Sequence, residues 1–163
     1  MKKCGKKEIT GLLESKGIAY EIREHHAVYT VEEAAALNLP YPEAAAKNLF
    51  LRDDKKKNFY LLVARDDVPI NLKELREKIG SRPLSFASPQ LLDEILGLIP
   101  GSVTPLGILN DEERKVEVLL DSAFEGKRIA MHPNENTATL WMQEEDLAGI
   151  VREHGNGYRY VEL

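Results

Sequence analysis

One cysteine in 163 residues leaves nothing for an intrachain disulfide, in keeping with a reducing compartment. No apolar run approaches the roughly 18–20 residues that a bilayer span requires. The basic start, Met1-Lys2-Lys3-Cys4-Gly5-Lys6-Lys7, is followed by neither an apolar segment nor a small-residue cleavage site. That argues against a secretory signal and for a soluble cytoplasmic protein without a membrane partner. Positive charge is also in deficit: 22 Lys and Arg stand against 27 Asp and Glu, a net charge of −5. Broad, sequence-blind adhesion to nucleic acid needs the opposite balance. A narrow RNA-binding surface stays open. Its basic patches are the N-terminal lysines and Lys55-Lys56-Lys57, unless these are the solvated tail and turn that charge runs usually form.

Familiar catalytic signatures are missing as well. There is no G-x-G-x-x-G or Walker loop to cradle phosphate, no H-E-x-x-H, no cysteine cluster for zinc and no G-x-S-x-G elbow. His25 and His26 are adjacent, without the spacing that puts two ligands on one face. Cys4 lies in a terminus expected to fray, with no element to hold it against a base. No metal and no cofactor are expected.

What remains is an ordinary globular composition, 43% hydrophobic and 30% charged, of a length that suits one domain over residues 1–163. Ile9, Leu12 and Leu13 at helical spacing predict a helix from about Lys7 to Lys16, with Gly17 as C-cap. Ala19 to Ile22 reads as a short strand. Thr30 and Glu33 form a capping box for an alanine-rich helix that must end before Pro40, and Pro42 starts another short turn. Leu49–Arg52 and Phe59–Ala64 read as a hairpin around the polar turn 53–58. Asn71 and Ser88-Pro89 each open a helix, closed by Gly80 and Gly97. Strands are expected at Leu106–Leu109, Val116–Leu120, Arg128–Met131, Thr137–Met142 and Tyr158–Val161, with a helix from Glu144 to His154. Strict β-α-β alternation is absent, so the fold class is α+β, with a mixed, mainly antiparallel sheet and packed helices.

Three segments carry candidate chemistry. In Ala46-Lys47-Asn48-Leu49-Phe50 a lysine stands at a strand entrance, facing a ligand or merely solvent. Ile99 to Gly107 holds two prolines and two glycines, which either make a tight connection or let a ligand approach backbone amides. Met131-His132-Pro133-Asn134-Glu135-Asn136-Thr137 places a histidine at a strand end, as a functional group or an exposed turn residue.

In this order, with His26-Ala27-Val28-Tyr29-Thr30-Val31-Glu32-Glu33-Ala34 before them, the segments resemble the freestanding tRNA-editing deacylases of the YbaK/ProX superfamily. That group is related to the editing insertion domain of bacterial prolyl-tRNA synthetase. The resemblance covers nearly the whole chain, through Lys47-Asn48-Leu49-Phe50-Leu51, the Gly101…Pro105 loop and His132-Pro133…Asn136-Thr137, to the Asp146-Leu147 helix. Asn134-Glu135 departs from the family, which commonly has an apolar residue after the proline. The wording around Val28–Ala34 and Lys47–Leu51 is similar to the alanyl-tRNA(Pro) branch, with the cysteinyl-tRNA(Pro) branch and a non-catalytic sensor of charged tRNA as alternatives.

The resemblance implies a single mixed domain with a curved sheet and hydrolysis of an aminoacyl ester. Its partners would be the acceptor end of tRNA(Pro) and, in addition, prolyl-tRNA synthetase. It implies catalytic roles for Lys47, Gly101 and His132: an ammonium for the developing negative charge, backbone amides at Gly101 and Ser102 for the carbonyl, and an orienting imidazole. Asn48, Asn136 and Thr137 fall in the same motifs as substrate contacts. Val28, Tyr29, Thr30 and Phe50 are candidate walls of a pocket that admits alanine and excludes proline, or else ordinary core.

Overall fold

The computed structural model describes residues 3–163; Met1 and Lys2, at the head of the basic run, lie outside it, as does the side chain of Val31. The chain opens with α1 (Lys6–Ser15), which buries Ile9 and Leu13, and β1 (Tyr20–Glu24). Next comes α2 (Val31–Ala36), where the Thr30 hydroxyl accepts from the Glu33 amide at 3.1 Å, one half of the expected capping box; the Glu33 carboxylate accepts from the Thr30 hydroxyl at 3.2 Å instead of from its backbone amide. A 3-10 turn at Pro42–Ala44 leads into the hairpin of β2 (Ala46–Asp53) and β3 (Phe59–Arg65).

Two capped helices flank a short strand: α3 (Leu72–Ile79), β4 (Leu84–Phe86) and α4 (Pro89–Leu96). The Asn71 carboxamide accepts from the Lys73 and Glu74 amides, and Ser88 Oγ from the Leu91 amide. The chain ends with β5 (Val116–Asp121), β6 (Arg128–Met131), β7 (Ala138–Gln143), α5 (Glu144–His154) and β8 (Tyr158–Val161).

The mixed, mainly antiparallel character expected from the sequence is distributed over two sheets. One has the order β1-β7-β6 and is wholly antiparallel. The other, β4-β2-β3-β5-β8, is antiparallel around β2 and parallel from β3 through β5 to β8. The larger core joins the sheets. Phe50, Leu61 and Val63 of β2 and β3 meet Ile129, Met131, Leu140 and Met142 of β6 and β7, with α1, α4 and α5 closing the sides. The opposite face of the five-stranded sheet packs Leu51, Leu62 and Leu119 under Leu75 and Ile79 of α3.

Buried polar groups fasten the connections. The Glu144 carboxylate, fully buried at the start of α5, accepts from the Gly126 amide at 3.0 Å and from the Tyr158 and Tyr160 hydroxyls at 2.7 Å each. Burial and that carboxylate raise both phenols, Tyr160 to about 12.

Two expectations are corrected, and one strand was not foreseen. Leu106–Leu109 is no strand but part of a 3-10 segment, Pro105–Asn110. The Thr104 hydroxyl accepts from the Leu106 amide, and Gly107 presses so closely on Leu98 that an added Cβ would lie 2.7 Å from its Cδ1. A four-residue apolar run has too little periodicity to tell the two apart. The strand β4 had no signal of its own, being three residues paired on the edge of β2. Cys4 does not fray: its amide donates to Asn110 Oδ1 at 2.7 Å, and its carbonyl accepts from Asn134 Nδ2 at 2.8 Å.

Candidate active site

The site grows from one tight turn. Pro100 and Gly101 occupy its central positions, Gly101 has φ +93°, and the Ser102 amide donates to the Ile99 carbonyl at 3.0 Å. Proline followed by a left-handed residue is the requirement of a type II turn. The buried Ser102 hydroxyl reinforces it by donating to Ile99 O at 2.9 Å. The Ser102 amide is thus engaged, and the Gly101 amide is the one outside the turn bond. Glycine is needed for space as well: a Cβ here would lie 3.1 Å from the Tyr29 ring and 3.6 Å from the Asn136 amide nitrogen.

Thr104, fully buried, ties this loop to the next candidate. Its hydroxyl donates to the His132 carbonyl at 2.6 Å. His132 follows β6 and lies half-buried, with Nδ1 3.0 Å from the Ala138 carbonyl. A carbonyl only accepts, so Nδ1 carries the proton and Nε2 presents a lone pair. Burial lowers the pKa of this imidazole, the nearby His25 lowers it further, and the Ala138 bond opposes them. His132 is therefore neutral near pH 7.

The segment after β1 is stitched over the same corner. The His25 amide donates to Thr137 O at 2.9 Å, its Nε2 lies 2.9 Å from Thr139 Oγ1, and the buried Asn136 donates to Val28 O at 3.4 Å. Val28 is buried, whereas Tyr29 and Ile99 are 66% and 57% exposed and rim the Gly101 turn. Thr137 is exposed and bonded to Glu135. The structure thus brings Val28, Tyr29, Gly101, Ser102, His132, Asn136 and Thr137 to one corner. His25, Thr104 and Thr139 belong to it too, and sequence reasoning missed them. As half of an adjacent pair His25 has no metal-ligand spacing; its place where an alternating strand runs into a helix cap is the available signal.

Other candidates sit elsewhere. Lys47 is the second residue of β2, and strand alternation puts it on the α3-facing side with Leu49 and Leu51. Its ammonium donates to the Val68 carbonyl. Asn48 faces the other way, and its buried Oδ1 has no hydrogen-bond partner among the described residues. Phe50 is core, 5% exposed and stacked on Phe59 with ring centroids 5.9 Å apart. Thr30 spends its hydroxyl on the α2 cap. Among the described residues no group of three His, Cys, Asp or Glu side chains is placed to hold a metal ion, and no helix is long and apolar enough to cross a membrane.

Residues 25–150, which span this corner, match the family model described as aminoacyl-tRNA editing domain. The chain belongs to that family. Membership makes it an aminoacyl-tRNA deacylase. It is 43% identical to the prolyl-tRNA editing protein ProX of Acetoanaerobium sticklandii over 159 residues, 97% of each chain. It is 36% identical to mouse prolyl-tRNA synthetase associated domain-containing protein 1, over 91% of this chain and 90% of that one. A crystal structure provisionally described as a trans-editing enzyme for prolyl-tRNA synthetase superposes with a TM-score of 0.71 at 21% identity, covering 97% of this chain and 96% of that one. At that identity the likeness concerns fold. The editing domain's matched span begins at His25, the residue that pins the Val28–Tyr29 segment to β7.

Proposed function

We propose that this deacylase acts in trans in the cytoplasm, removing alanine from tRNA(Pro) mischarged by prolyl-tRNA synthetase. The observation that carries this reading is the corner where a neutral His132, its Nε2 lone pair without a partner among the described residues, adjoins the Gly101 turn. Ester hydrolysis needs a water, a place for negative charge to grow, and a fixed aminoacyl group. The Gly101 amide offers a preset donor to the carbonyl oxygen. His132 Nε2 accepts from the α-amino group or the terminal ribose and so fixes the ester, which leaves the substrate's own 2′-hydroxyl to assist the water. The 43% identity to a prolyl-tRNA editing protein supports tRNA(Pro) as the carrier.

Lys47 enters this scheme as the cation. An ammonium has three donors and Val68 engages one, so two remain for the ester region or a phosphate. For the amine to serve the ester from its side of β2, it must give up Val68 when substrate binds.

Selection for alanine is by size. One methylene changes binding by only about 1–3 kcal/mol, so attraction cannot separate the two amino acids well, whereas overlap with a packed wall can. Val28 and Tyr29, held beside Gly101, supply that wall in this reading; Phe50 serves the core behind it.

The test is a panel of alanyl-, cysteinyl-, seryl- and prolyl-tRNA(Pro). Alanyl-tRNA(Pro) is hydrolysed and prolyl-tRNA(Pro) is spared, while Tyr29→Ala admits larger groups without losing the alanyl substrate. Equal wild-type rates on alanyl and prolyl substrates would sink the size sieve. Preference for the cysteinyl substrate would replace alanine and keep the chemistry, and binding without turnover would indicate a sensor.

A further inference from the structure

Arg128 and Tyr41, outside the corner described above, form a second feature on the same strand. Arg128 opens β6, and Ile129 and Met131 point into the core, so Arg128, Ala130 and then His132 share the other face. At about 3.3 Å per residue, the four steps set Arg128 about 13 Å from His132 along the strand. The guanidinium lies over the Tyr41 ring, its carbon 3.7 Å from the centroid. The Tyr41 ring in turn meets buried Trp141 of β7 edge-on, with centroids 6.0 Å apart.

Two observations mark this stack. The first is strain. Tyr41 stands between Pro40 and Pro42, and a residue before proline is driven toward extended backbone. Tyr41 instead adopts φ 56° and ψ 60°, the left-handed region that a bulky residue avoids. Its hydroxyl holds the ring in place by donating to the Glu21 carboxylate at 2.8 Å. The second is spare capacity. Among the described residues Arg128 has no ion-pair or hydrogen-bond partner, although it is half-buried and carries five N–H donors. A planar guanidinium fixed on a ring, with its edges free, is preorganised for a phosphate.

We infer that the Arg128–Tyr41 stack holds a backbone phosphate of the substrate's single-stranded 3′ end, upstream of the terminal nucleotide placed at His132. The inference rests on the deacylase reading for its substrate. The Glu21 charge is engaged by the Tyr41 phenol, and Glu43 lies near the same ring, so anion binding falls to the free edge of Arg128.

The experiment compares alanyl-tRNA(Pro) with 2′(3′)-O-alanyl-adenosine, which has the ester and the terminal nucleoside but no upstream phosphate. In Arg128→Ala, kcat/KM on the tRNA falls about tenfold or more, through KM, as expected for losing a charge-assisted hydrogen bond. The ratio of tRNA rate to nucleoside rate falls with it. The slope of log(kcat/KM) against log[salt] becomes shallower by about 0.7, the share of one single-strand phosphate contact. Arg128→Lys, charged but unable to stack or fork, recovers only part of the loss. A parallel arm measures binding of an uncharged oligoribonucleotide ending in CCA, which weakens in Arg128→Ala with the same loss of salt dependence. Equal losses on both esters, or unchanged oligonucleotide binding, overturn the inference. Wild-type protein that cleaves neither ester counts against the alanyl-tRNA(Pro) reading, and the binding arm still decides the role of Arg128.

Discussion

Glu144 and His132 are both polar groups lodged where a strand gives way to another element, and their surroundings treat them oppositely. Glu144 is fully buried and has three donors on its two oxygens. His132 is half-buried and has one ring nitrogen bonded to Ala138, the other without a protein partner among the described residues. The first arrangement is saturated and ties β8 and α5 together. The second keeps a valence in reserve, next to a glycine turn whose amide likewise has no partner among the described residues. Buried polarity thus divides here into groups that hold the fold and groups left for a ligand, and counting partners separates them better than counting charges.

The comparison can be broken in order of expected effect. Lys47 belongs with the unsaturated groups, and Lys47→Ala lowers single-turnover deacylation by roughly 10²–10³-fold, the usual loss for one transition-state donor. Its urea midpoint moves little, and a folded variant with near-wild-type rate would remove Lys47 from the mechanism. Glu144→Gln tests the saturated side. An amide accepts through one oxygen only, so a buried donor loses its partner at a cost of about 1–3 kcal/mol, while turnover per folded molecule is unchanged.

The same anchor has a pH signature. An ordinary phenol titrates near pH 10, and Tyr160 is raised to about 12 in the fold. Between those values the unfolded chain has released a proton that the folded one keeps. Stability is therefore full below pH 10 and declines as pH rises toward 12. A flat profile in alkaline urea titrations would contradict the saturated anchor. The smallest expected effect is none at all: dialysis against EDTA leaves deacylation intact, and activity lost and then restored by zinc would reveal a ligand set that the histidines do not suggest.

Much of this was legible from local chemistry. Arg128–Met131, Glu144–His154 and Tyr158–Val161 have the bounds the sequence suggests, and Thr30, Asn71 and Ser88 each accept from a backbone amide of the helix they open, although Glu33 does not complete the capping box. Caps span three residues, so a linear reading contains all their parts. The motifs also located Gly101, His132 and Asn136, which the fold gathers. Hidden were relations between distant segments. Which face of β2 carries Lys47 depends on register against β3 and on where α3 packs. The pairing of Thr104 with the His132 carbonyl joins residues whose separation no pattern announces. Phe50 illustrates the same limit: a phenylalanine beside a motif reads alike as wall or core until Phe59 is stacked on it.

The polar clasp on Cys4 bears on how the molecule assembles. Its amide is held by Asn110 and its carbonyl by Asn134, residues 106 and 130 positions downstream. During synthesis the first helix leaves the ribosome long before either partner exists, and a ten-residue helix is marginal on its own in water. It stays a fluctuating amphipathic stretch until most of the chain is made. Such distant contacts slow folding, because the loop must close before any bond rewards it. The N-terminal helix is therefore made well before the partners that clasp Cys4 just ahead of it, and the turn that follows His132 supplies one half of that clasp.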